Sequence, residues 1–469
     1  MKKQLMRYLM LFIVTSLLLL ACSPTLPEEV ETPIIDESIV EPTPEPEIVE
    51  EVIEPETRFS IQADENLQDA VSILYDDFFQ GETPVFVETD ADLLAIEEEP
   101  EFNRQPDVPA TFLPGAIFVS QIESQDVLDF INFAISIDGQ ETLVSAGLLP
   151  ESITLIDQAG NNVTITQPVN RLISTYGPAT AMTYSVDAGD RLVAASYLGA
   201  RDPQGAAAME QIDPRFPDLM GDDFFTQQDF NIEEAVNLNP DLIVTSARTA
   251  WLDAVAEIDI PVFLFEGETP ERLRDAMLLL GQIFGPHSTV QAEAWVAYYD
   301  GLFETVLEQV GDIPDEERVR VLFTGTNPLR IASGDMYQTD IIRAAGGVSV
   351  SSELTGFWND VNLEQIVIWD PDVIIVPPYG GATVEAITES PEWQILDAVQ
   401  EGRVYRMPKL VVPWDTPAPD SVLGIVWMAQ LLNPGQVTLD CAEEAVYFYS
   451  TFYDFELTAE YLATICTIE

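Results

Sequence analysis

Basic residues are scarce in this 469-residue sequence. Lysine and arginine together number 19, against 81 aspartates and glutamates, so the formal net charge is −62. Lysine occurs only at Lys2, Lys3 and Lys409. Proteins that bind nucleic acid need a basic surface that neutralises phosphates, so we expect no nucleic-acid partner. The acid excess bears on solubility rather than on fold.

Histidine is scarcer still, because His287 is the only one. Divalent transition-metal sites favour histidine and cysteine, so we expect no bare metal site. A Ser-His-Asp triad would have to use His287, and the sequence contains neither an H-E-x-x-H nor a P-loop pattern. With 81 acidic residues the sequence does not rule out a glycosidase, which needs only two carboxylates, but nothing marks a pair. We therefore expect a protein that is not an enzyme, with His287 as a helix-start residue.

The N-terminus has the pattern of an export signal, a basic head followed by an apolar run. The run ends in "LLAC" at 19–22, which resembles the bacterial lipobox. That resemblance implies a signal peptide over 1–21, a lipid on the thiol of Cys22, and an extracytoplasmic protein whose acyl chains hold it at a membrane. The alternative is an uncleaved anchor helix, for which the run is rather short.

Residues 22–57 form a linker rich in proline, glutamate and threonine, without a basic residue. The prolines disfavour a helix, and the like charges extend the chain. A tether of this kind lets a folded body move above the membrane surface.

Two cysteines remain, Cys441 and Cys466, in a C-terminal helical extension over 434–469. An even pair in an exported protein indicates a disulfide. It would close a segment that we interpret as two short helices, and would stabilise the fold by roughly 3 kcal/mol on a loop-entropy estimate. Two buried free thiols are the alternative.

Residues 58–150 form a separate small α/β module. Their pattern predicts a strand, a turn and a helix near the start and two helices near the end. These pieces resemble the first strand–helix unit and a late helix of molybdate-type solute-binding proteins. In that family the early loop offers hydroxyl side chains to an oxyanion, whereas this sequence has Asp64 and Glu65, which would repel one. We expect a module without a ligand site, acting as a spacer or packing partner.

The remaining chain carries one phrase twice, "DFNIEEAVNLNPDLIVTS" at 229–246 and "DVNLEQIVIWDPDVIIVP" at 360–377. Around each copy, short apolar runs alternate with helical patterns, which favours parallel sheets in an α/β fold. The repeat predicts one lobe over 151–285 and a second over 313–433. Residues 286–312 between them have apolar residues at helical spacing, enough for a helix of about 35 Å at 1.5 Å per residue.

From about 152 to 433 the sequence resembles the solute-binding proteins of ABC importers that carry ferric siderophores, haem and cobalamin. The resemblance rests on "ITLIDQAGNNVTITQPVNRLIS", "GPATAMTYSVDAGDRLVAAS", the repeated phrase, "GGVSV" and "PWDTPAPDSVLGIVWMAQLLNP". It implies a monomer with two lobes of mainly parallel sheet, joined by a single long helix, with the ligand held between the lobes.

The same resemblance assigns a role to the repeated phrase. In the family, one surface glutamate on each lobe contacts arginines of the membrane permease, and the matching positions here are Glu233 and Glu364. Each begins a predicted helix, where the dipole favours a carboxylate. The alternative is two ordinary first-turn glutamates behind the N-caps Asn231 and Asn362.

Ligand contacts are expected beyond the carboxyl ends of the parallel strands. The candidates on that basis are Tyr176, Arg248, Tyr337, Trp358, Tyr379 and Trp414, with Arg248 and Trp358 foremost. Neighbouring candidates are Gly177, Pro178, Arg201, Phe224, Phe225, Met336, Phe357 and Asp415. Aromatic side chains with a few arginines suit a flat or chelated ligand with acidic edges. Each aromatic residue taken singly is also compatible with a place in the core or at the cleft rim.

Two functions follow from this reading. The first is a lipid-anchored receptor that hands a ferric siderophore, haem or corrinoid to the permease of an ABC importer, with no cofactor besides its lipid. The second is a sensing or adhesion lipoprotein that keeps the binding fold without a transporter, for which the 58–150 module leaves room.

Overall fold

The structure is a computed structural model that describes residues 58–196, 202–220, 225, 229–255 and 258–468. Cys22, the signal peptide, the linker, Arg201 and Phe224 lie outside the described residues. Among the described residues, no helix combines the length and the apolar character needed to cross a bilayer.

The module over 58–150 is built on a five-stranded mixed sheet in the order β2-β1-β3-β5-β4. Its strands are β1 (Ser60–Ala63), β2 (Val85–Phe86), β3 (Leu93–Glu97), β4 (Ala110–Leu113) and β5 (Ala116–Ser120). Its helices are Gln68–Phe78, Gln125–Ile135 and Ile137–Ser145. Val71, Leu74 and Phe130 are fully buried in a core that belongs to the module itself. The strand–helix start and the late helices match the sequence prediction, which did not include the strands between them.

The first lobe opens with an antiparallel hairpin, β6 (Ser152–Ile156) and β7 (Asn162–Thr166), as its alternating pattern predicts. A four-stranded parallel sheet follows, made of β8 (Leu172–Ser174), β9 (Leu192–Ala195), β10 (Leu242–Ser246) and β11 (Val262–Phe265). Its helices are Gly177–Ser185, Pro203–Ile212, Phe216–Leu219, Ile232–Asn237, Leu252–Val255 and Pro270–Phe284.

The second lobe has its own four-stranded parallel sheet, made of β12 (Arg320–Phe323), β14 (Val348–Ser349), β16 (Val373–Val376) and β17 (Val404–Arg406). The strands β13 (Arg330–Ala332) and β15 (Trp358–Asp360) form a separate antiparallel pair. Its helices are Tyr337–Ala344, Leu363–Trp369, Val384–Thr388, Asp397–Gln400 and Ser421–Leu432.

The two parallel sheets have the same topology. Numbered by their order in the chain, the four strands of each sheet lie side by side as 2-1-3-4, which is β9-β8-β10-β11 in the first lobe and β14-β12-β16-β17 in the second. In both, a helix with the repeated phrase leads into the third strand. The predicted α/β fold class, with two lobes of mainly parallel sheet, is thereby confirmed.

A 25-residue helix, Pro286–Val310, joins the lobes. At 1.5 Å per residue it spans about 37 Å. Trp295, Tyr298 and Tyr299 on this inter-lobe helix are buried. Gly301 marks the point where the module crosses it, because a Cβ there would lie 2.9 Å from the Cα of Arg104.

The C-terminal extension contains the helices Cys441–Tyr453 and Ala459–Ile465, and a disulfide joins Cys441 to Cys466. It touches both lobes. Tyr461 accepts a hydrogen bond of 3.1 Å from Gln211 in the first lobe. Tyr449 and Tyr453 donate to the carboxylate of Asp420, at the start of a second-lobe helix, at 2.6 and 2.7 Å. The expectation that only the long helix ties the lobes together is therefore incomplete, because the extension connects them a second time.

The extension also holds the module. Glu444, which is only 3% exposed, pairs with Arg104 of the module at 2.6 Å and accepts a hydrogen bond from the Tyr298 hydroxyl at 3.0 Å. Burial raises the pKa of the Glu444 carboxyl, while Arg104 and Tyr298 oppose the rise. Module, inter-lobe helix and extension thus meet at one buried carboxylate.

Removing the disulfide tests how far the extension depends on it. The bond links residues 25 apart in sequence, so replacing Cys441 and Cys466 by serine should lower the free energy of unfolding by roughly 3 kcal/mol. Urea unfolding of the double variant, and of wild-type protein under reducing agent, measures the loss. An unchanged midpoint in both samples would show that packing alone holds the extension.

Asp420 should make stability depend on pH. Burial raises its pKa from 3.8 to about 6, against the opposing hydrogen bonds of Tyr449 and Tyr453. The folded state therefore holds this proton more tightly than the unfolded chain, and the free energy of unfolding falls as pH rises from about 4 to about 6, by roughly 3 kcal/mol. Asp420→Asn should remove that share of the pH dependence.

Urea unfolding at pH 5 and pH 7.5 compares the variant with wild type. Glu460→Gln, which removes one charge from an exposed position, is the matched control and should keep the wild-type difference between the two pH values. If Asp420→Asn behaves like Glu460→Gln, the buried carboxyl does not set the dependence.

Candidate ligand-binding cleft

The sheet order defines where a ligand site forms. In a 2-1-3-4 sheet the first and third strands are neighbours. The chain leaves the first strand towards one edge of the sheet and the third strand towards the other edge, which opens a crevice beyond their carboxyl ends. In the first lobe those strands are β8 and β10, and Tyr176 and Arg248 follow them. In the second lobe the strands are β12 and β16, which lead to Gly325 and to Tyr379.

On the first lobe, Tyr176 and Arg248 lie close together. The guanidinium of Arg248 forms an ion pair with the carboxylate of Glu268, and the Arg248 side chain remains 40% exposed. Burial raises the pKa of the Tyr176 hydroxyl, the neighbouring Glu268 adds to the rise, and Arg248 opposes it. This wall of the cleft therefore presents a partly exposed cation and a half-buried tyrosine whose hydroxyl stays protonated.

An aromatic ring of the second lobe contacts Arg248. The guanidinium carbon of Arg248 lies 4.6 Å from the ring centroid of Phe357, whose side chain is 48% exposed. A cation over an aromatic face is an attractive contact, so this pair bridges the two lobes. Trp358, the favoured candidate, instead packs over Gly325, where a Cβ would lie 2.7 Å from its ring. The residue beside it, Phe357, provides the contact to Arg248.

Tyr379 is held at the lip of the second lobe by a buried carboxyl. Its hydroxyl donates to Asp415 at 2.7 Å, and the Gln338 amide donates to the Asp415 backbone carbonyl at 3.0 Å. Asp415 is fully buried, and burial raises its pKa to about 6. Its role is therefore to orient Tyr379 rather than to touch a ligand.

Two sequence candidates are wrong, because their side chains are fully buried in the core. The Tyr337 hydroxyl lies 2.7 Å from Ser421 and 3.3 Å from Tyr299. The Trp414 indole lies against Tyr449. Both follow strand ends in sequence, but each segment turns its aromatic ring inwards. Met336 and Phe225, the neighbouring candidates, are buried as well.

The two repeated glutamates occupy equivalent positions. Glu233 lies in the first turn of Ile232–Asn237, and Glu364 lies in the first turn of Leu363–Trp369. Both are exposed. The preceding Asn231 and Asn362 cap the helices, each accepting a backbone N–H, at 3.3 and 2.9 Å. The expected N-caps are present, and they leave the glutamate side chains facing solvent.

Each glutamate has an exposed aliphatic neighbour one turn further along its helix. Val236 is 47% exposed and Ile368 is 74% exposed. The two lobes thus present the same pair of features, an acid followed by an apolar side chain.

His287 is buried between the module and the first lobe. Its Nδ1 accepts the N–H of Thr111 at 3.5 Å, and its Nε2 lies 3.3 Å from the carboxylate of Asp187. The hydrogen bond to His287 lowers the pKa of Asp187. Within the described part of the chain, no three His, Cys, Asp or Glu side chains are placed to hold a metal ion together.

Comparison with known proteins agrees with this architecture. A family model described as periplasmic binding protein matches residues 182–410. A molybdate-binding protein of Haemophilus influenzae is 24% identical over 332 residues, covering 64% of this chain and 91% of that protein. A vitamin B12-binding protein of Yersinia pestis is 25% identical over 255 residues, covering 53% of this chain and 78% of that protein.

Solved structures share the fold. A periplasmic solute-binding protein from Veillonella parvula superimposes with a TM-score of 0.59 at 24% identity, covering 67% of this chain and 96% of its own. The molybdate-bound protein of H. influenzae gives a TM-score of 0.58 at 20% identity, covering 65% and 99%.

These relatives are named for binding rather than for catalysis, which agrees with the prediction of a binding protein. The matched segment includes the inter-lobe helix and most of both lobes. Over residues 182–410, just under half of its length, the chain is similar to the periplasmic binding protein family.

Proposed function

We propose that the chain captures an anionic metal complex in the cleft between its lobes and delivers it to the permease of an ABC importer. The observation that carries the proposal is Arg248, a partly exposed cation at the switch point of the first lobe, facing an exposed aromatic ring of the second. The named ligands of the relatives, molybdate and vitamin B12, are both metal-containing. A ferric siderophore, haem or a corrinoid has the acidic edge or flat face that such a pair favours.

The charge of the whole protein supports Arg248 as the contact for an anionic ligand. With 19 basic residues against 81 acidic ones, few cations are available to any anionic ligand. Glu268 and Tyr176 already fix the position of the Arg248 side chain. Little conformational entropy of that side chain is therefore lost when a ligand binds. A ligand would replace the contact between Arg248 and Phe357.

The location is proposed from the family and the N-terminus together. Proteins of this family act outside the cytoplasm, and a diacylglyceryl group on Cys22 would hold this one at a membrane surface. The acidic linker over 22–57 would then act as the tether between the anchor and the binding domain, which we expect to work as a monomer.

Permease docking is proposed for Glu233 and Glu364. Each is exposed in the first turn of a capped helix, and a carboxylate pairs selectively with an arginine fork. The equivalent positions of the two lobes suit a permease of two similar halves. Val236 and Ile368 would add an apolar contact beside each ion pair.

Arg248→Ala should weaken ligand binding. Losing a hydrogen bond to a charged group costs about 1.5–3 kcal/mol, which corresponds to an affinity roughly 10- to 100-fold lower. Tryptophan fluorescence titrations with haem, cobalamin, ferric siderophores and molybdate would first identify the ligand and then measure the loss. Arg343→Ala, at a surface arginine that is 67% exposed, is the control and should bind as wild type.

Equal binding by both variants would exclude Arg248 from the site. Failure of every ligand to bind wild-type protein would favour the alternative of a sensing or adhesion lipoprotein.

The pair Glu233→Ala and Glu364→Ala should abolish uptake of the ligand while leaving its affinity unchanged, because both residues lie outside the cleft. Transport assays in cells, paired with titrations on the purified protein, separate the two effects. A control variant with Glu210→Ala and Glu389→Ala removes two exposed charges elsewhere and should keep transport. Normal uptake by the Glu233 and Glu364 variant would contradict docking through these residues.

A further inference from the structure

A cavity of about 570 Å³ lies outside the cleft, where the module meets the first lobe and the start of the inter-lobe helix. Its walls come from the module, from strand β6 of the hairpin, from the end of Pro270–Phe284 and from the first two turns of Pro286–Val310. The volume is within the range of small-molecule sites, about 300–1,000 Å³. The cavity exists only because the module covers this part of the body.

Most of the cavity wall is apolar. Leu149 comes from the module, Ile153 and Leu155 from β6, and Val290 from the inter-lobe helix. Ile153 and Leu155 lie on the inward side of the hairpin yet remain half-buried, whereas the inward residues of the partner strand β7 are buried. Strand β6 therefore turns apolar surface towards open space, and a ligand in the cavity would cover it.

Two of the polar side chains in the wall are carboxylates. Glu99 and Glu293 both line the cavity, and neither carboxylate has an ion pair or hydrogen bond with any described residue. Burial raises the pKa of Glu293, and the charge of Glu99 adds to the rise. The lining contains no lysine, arginine or histidine.

Gln140 provides a second, independent indication. Its side chain is only 3% exposed, and its amide nitrogen donates to the Ile135 carbonyl at 3.5 Å. The amide oxygen accepts no hydrogen bond from the described residues. That oxygen lies beside Gly285, where a Cβ would approach it to 2.7 Å. Because both Gln140 and Gly285 line the cavity, that oxygen is placed to accept a hydrogen bond from a molecule inside it.

We propose that this cavity is a second ligand site, which takes a small apolar molecule carrying a protonated amine or amidine. The cation would lie between Glu99 and Glu293 and donate to Gln140, while the apolar body would contact Leu155 and Val290. The acidic linker of this chain is excluded as an occupant by charge, because residues 22–57 contain no basic side chain. A bound cation would join the module to the inter-lobe helix and stabilise both by linkage.

The test compares three probes of similar size on the full chain: phenethylamine, its alcohol analogue 2-phenylethanol, and the carboxylate 3-phenylpropionate. Calorimetry and thermal unfolding measure binding. The amine should bind at least about tenfold more tightly than the alcohol, because an ion pair in a half-buried site adds more than 1.4 kcal/mol. The carboxylate should bind more weakly than either.

Two kinds of variant locate the binding. Glu293→Gln should reduce the affinity for the amine about tenfold and leave that for the alcohol unchanged. Glu308→Gln, at an exposed position of the same helix, is the matched control and should leave both affinities as in wild type. Val290→Trp should fill the cavity and abolish binding of both probes, with Leu155→Trp on the hairpin as a second filling variant. Circular dichroism verifies that each variant folds.

Three results would overturn the proposal. One is the absence of amine binding at about 1 mM, the weakest affinity that a specific site of this size should show. The second is equal affinity for amine and alcohol in wild-type protein. The third is amine binding that survives in a folded filling variant. Because none of these readouts involves the cleft, the result is independent of the proposed transport function.

Discussion

The structure depends on the burial of one helix between two lobes. A single apolar core runs from the first lobe through the inter-lobe helix into the second lobe and the C-terminal helices. Trp295, Tyr298 and Tyr299 are buried within it, and close-packed interiors of this kind resist bending. The separation of the two lobes is therefore set by packing along Pro286–Val310 rather than by a flexible hinge. A cleft between such lobes is largely formed before a ligand arrives.

With few basic residues available, the buried carboxyls of this core depend on hydrogen bonds from tyrosine. Four buried carboxyls each accept a hydrogen bond from a tyrosine hydroxyl: Asp213 from Tyr184, Asp415 from Tyr379, Asp420 from Tyr449 and Tyr453, and Glu444 from Tyr298. A tyrosine buries apolar area and satisfies an acceptor with the same side chain. Asp213 and Glu444 also pair with an arginine, whereas at Asp415 and Asp420 tyrosine takes the place that a basic residue holds in other proteins. Burial raises the pKa of Asp415, Asp420 and Glu444, and the tyrosine hydrogen bonds oppose that rise.

The sequence predicted the fold better than the cleft, for a physical reason. Periodicity and the repeated phrase reflect local preferences, so they located both parallel sheets, the long helix and the N-caps Asn231 and Asn362. Which aromatic side chains face the cleft depends on how loops fold back. Trp414 and Tyr337 follow strand ends as Tyr176 does, yet Tyr449 and Tyr299 draw them into the core. Glu268, the partner of Arg248, carries no motif, and its place follows only from the pairing of β10 with β11.

In the proposed function, the contact between Arg248 and Phe357 constrains which ligands the cleft can hold. Arg248 already has an anion, Glu268, and an aromatic ring, Phe357, so binding exchanges one set of contacts for another. A simple anion would replace the ring and gain little, because Glu268 still neutralises much of the charge. A ligand with a flat face as well as an acidic edge would take over both contacts, because its face can stack on the Phe357 ring while its edge pairs with the guanidinium. That balance favours a chelate or a macrocycle over a bare oxyanion, even though the fold is shared with a molybdate-binding protein.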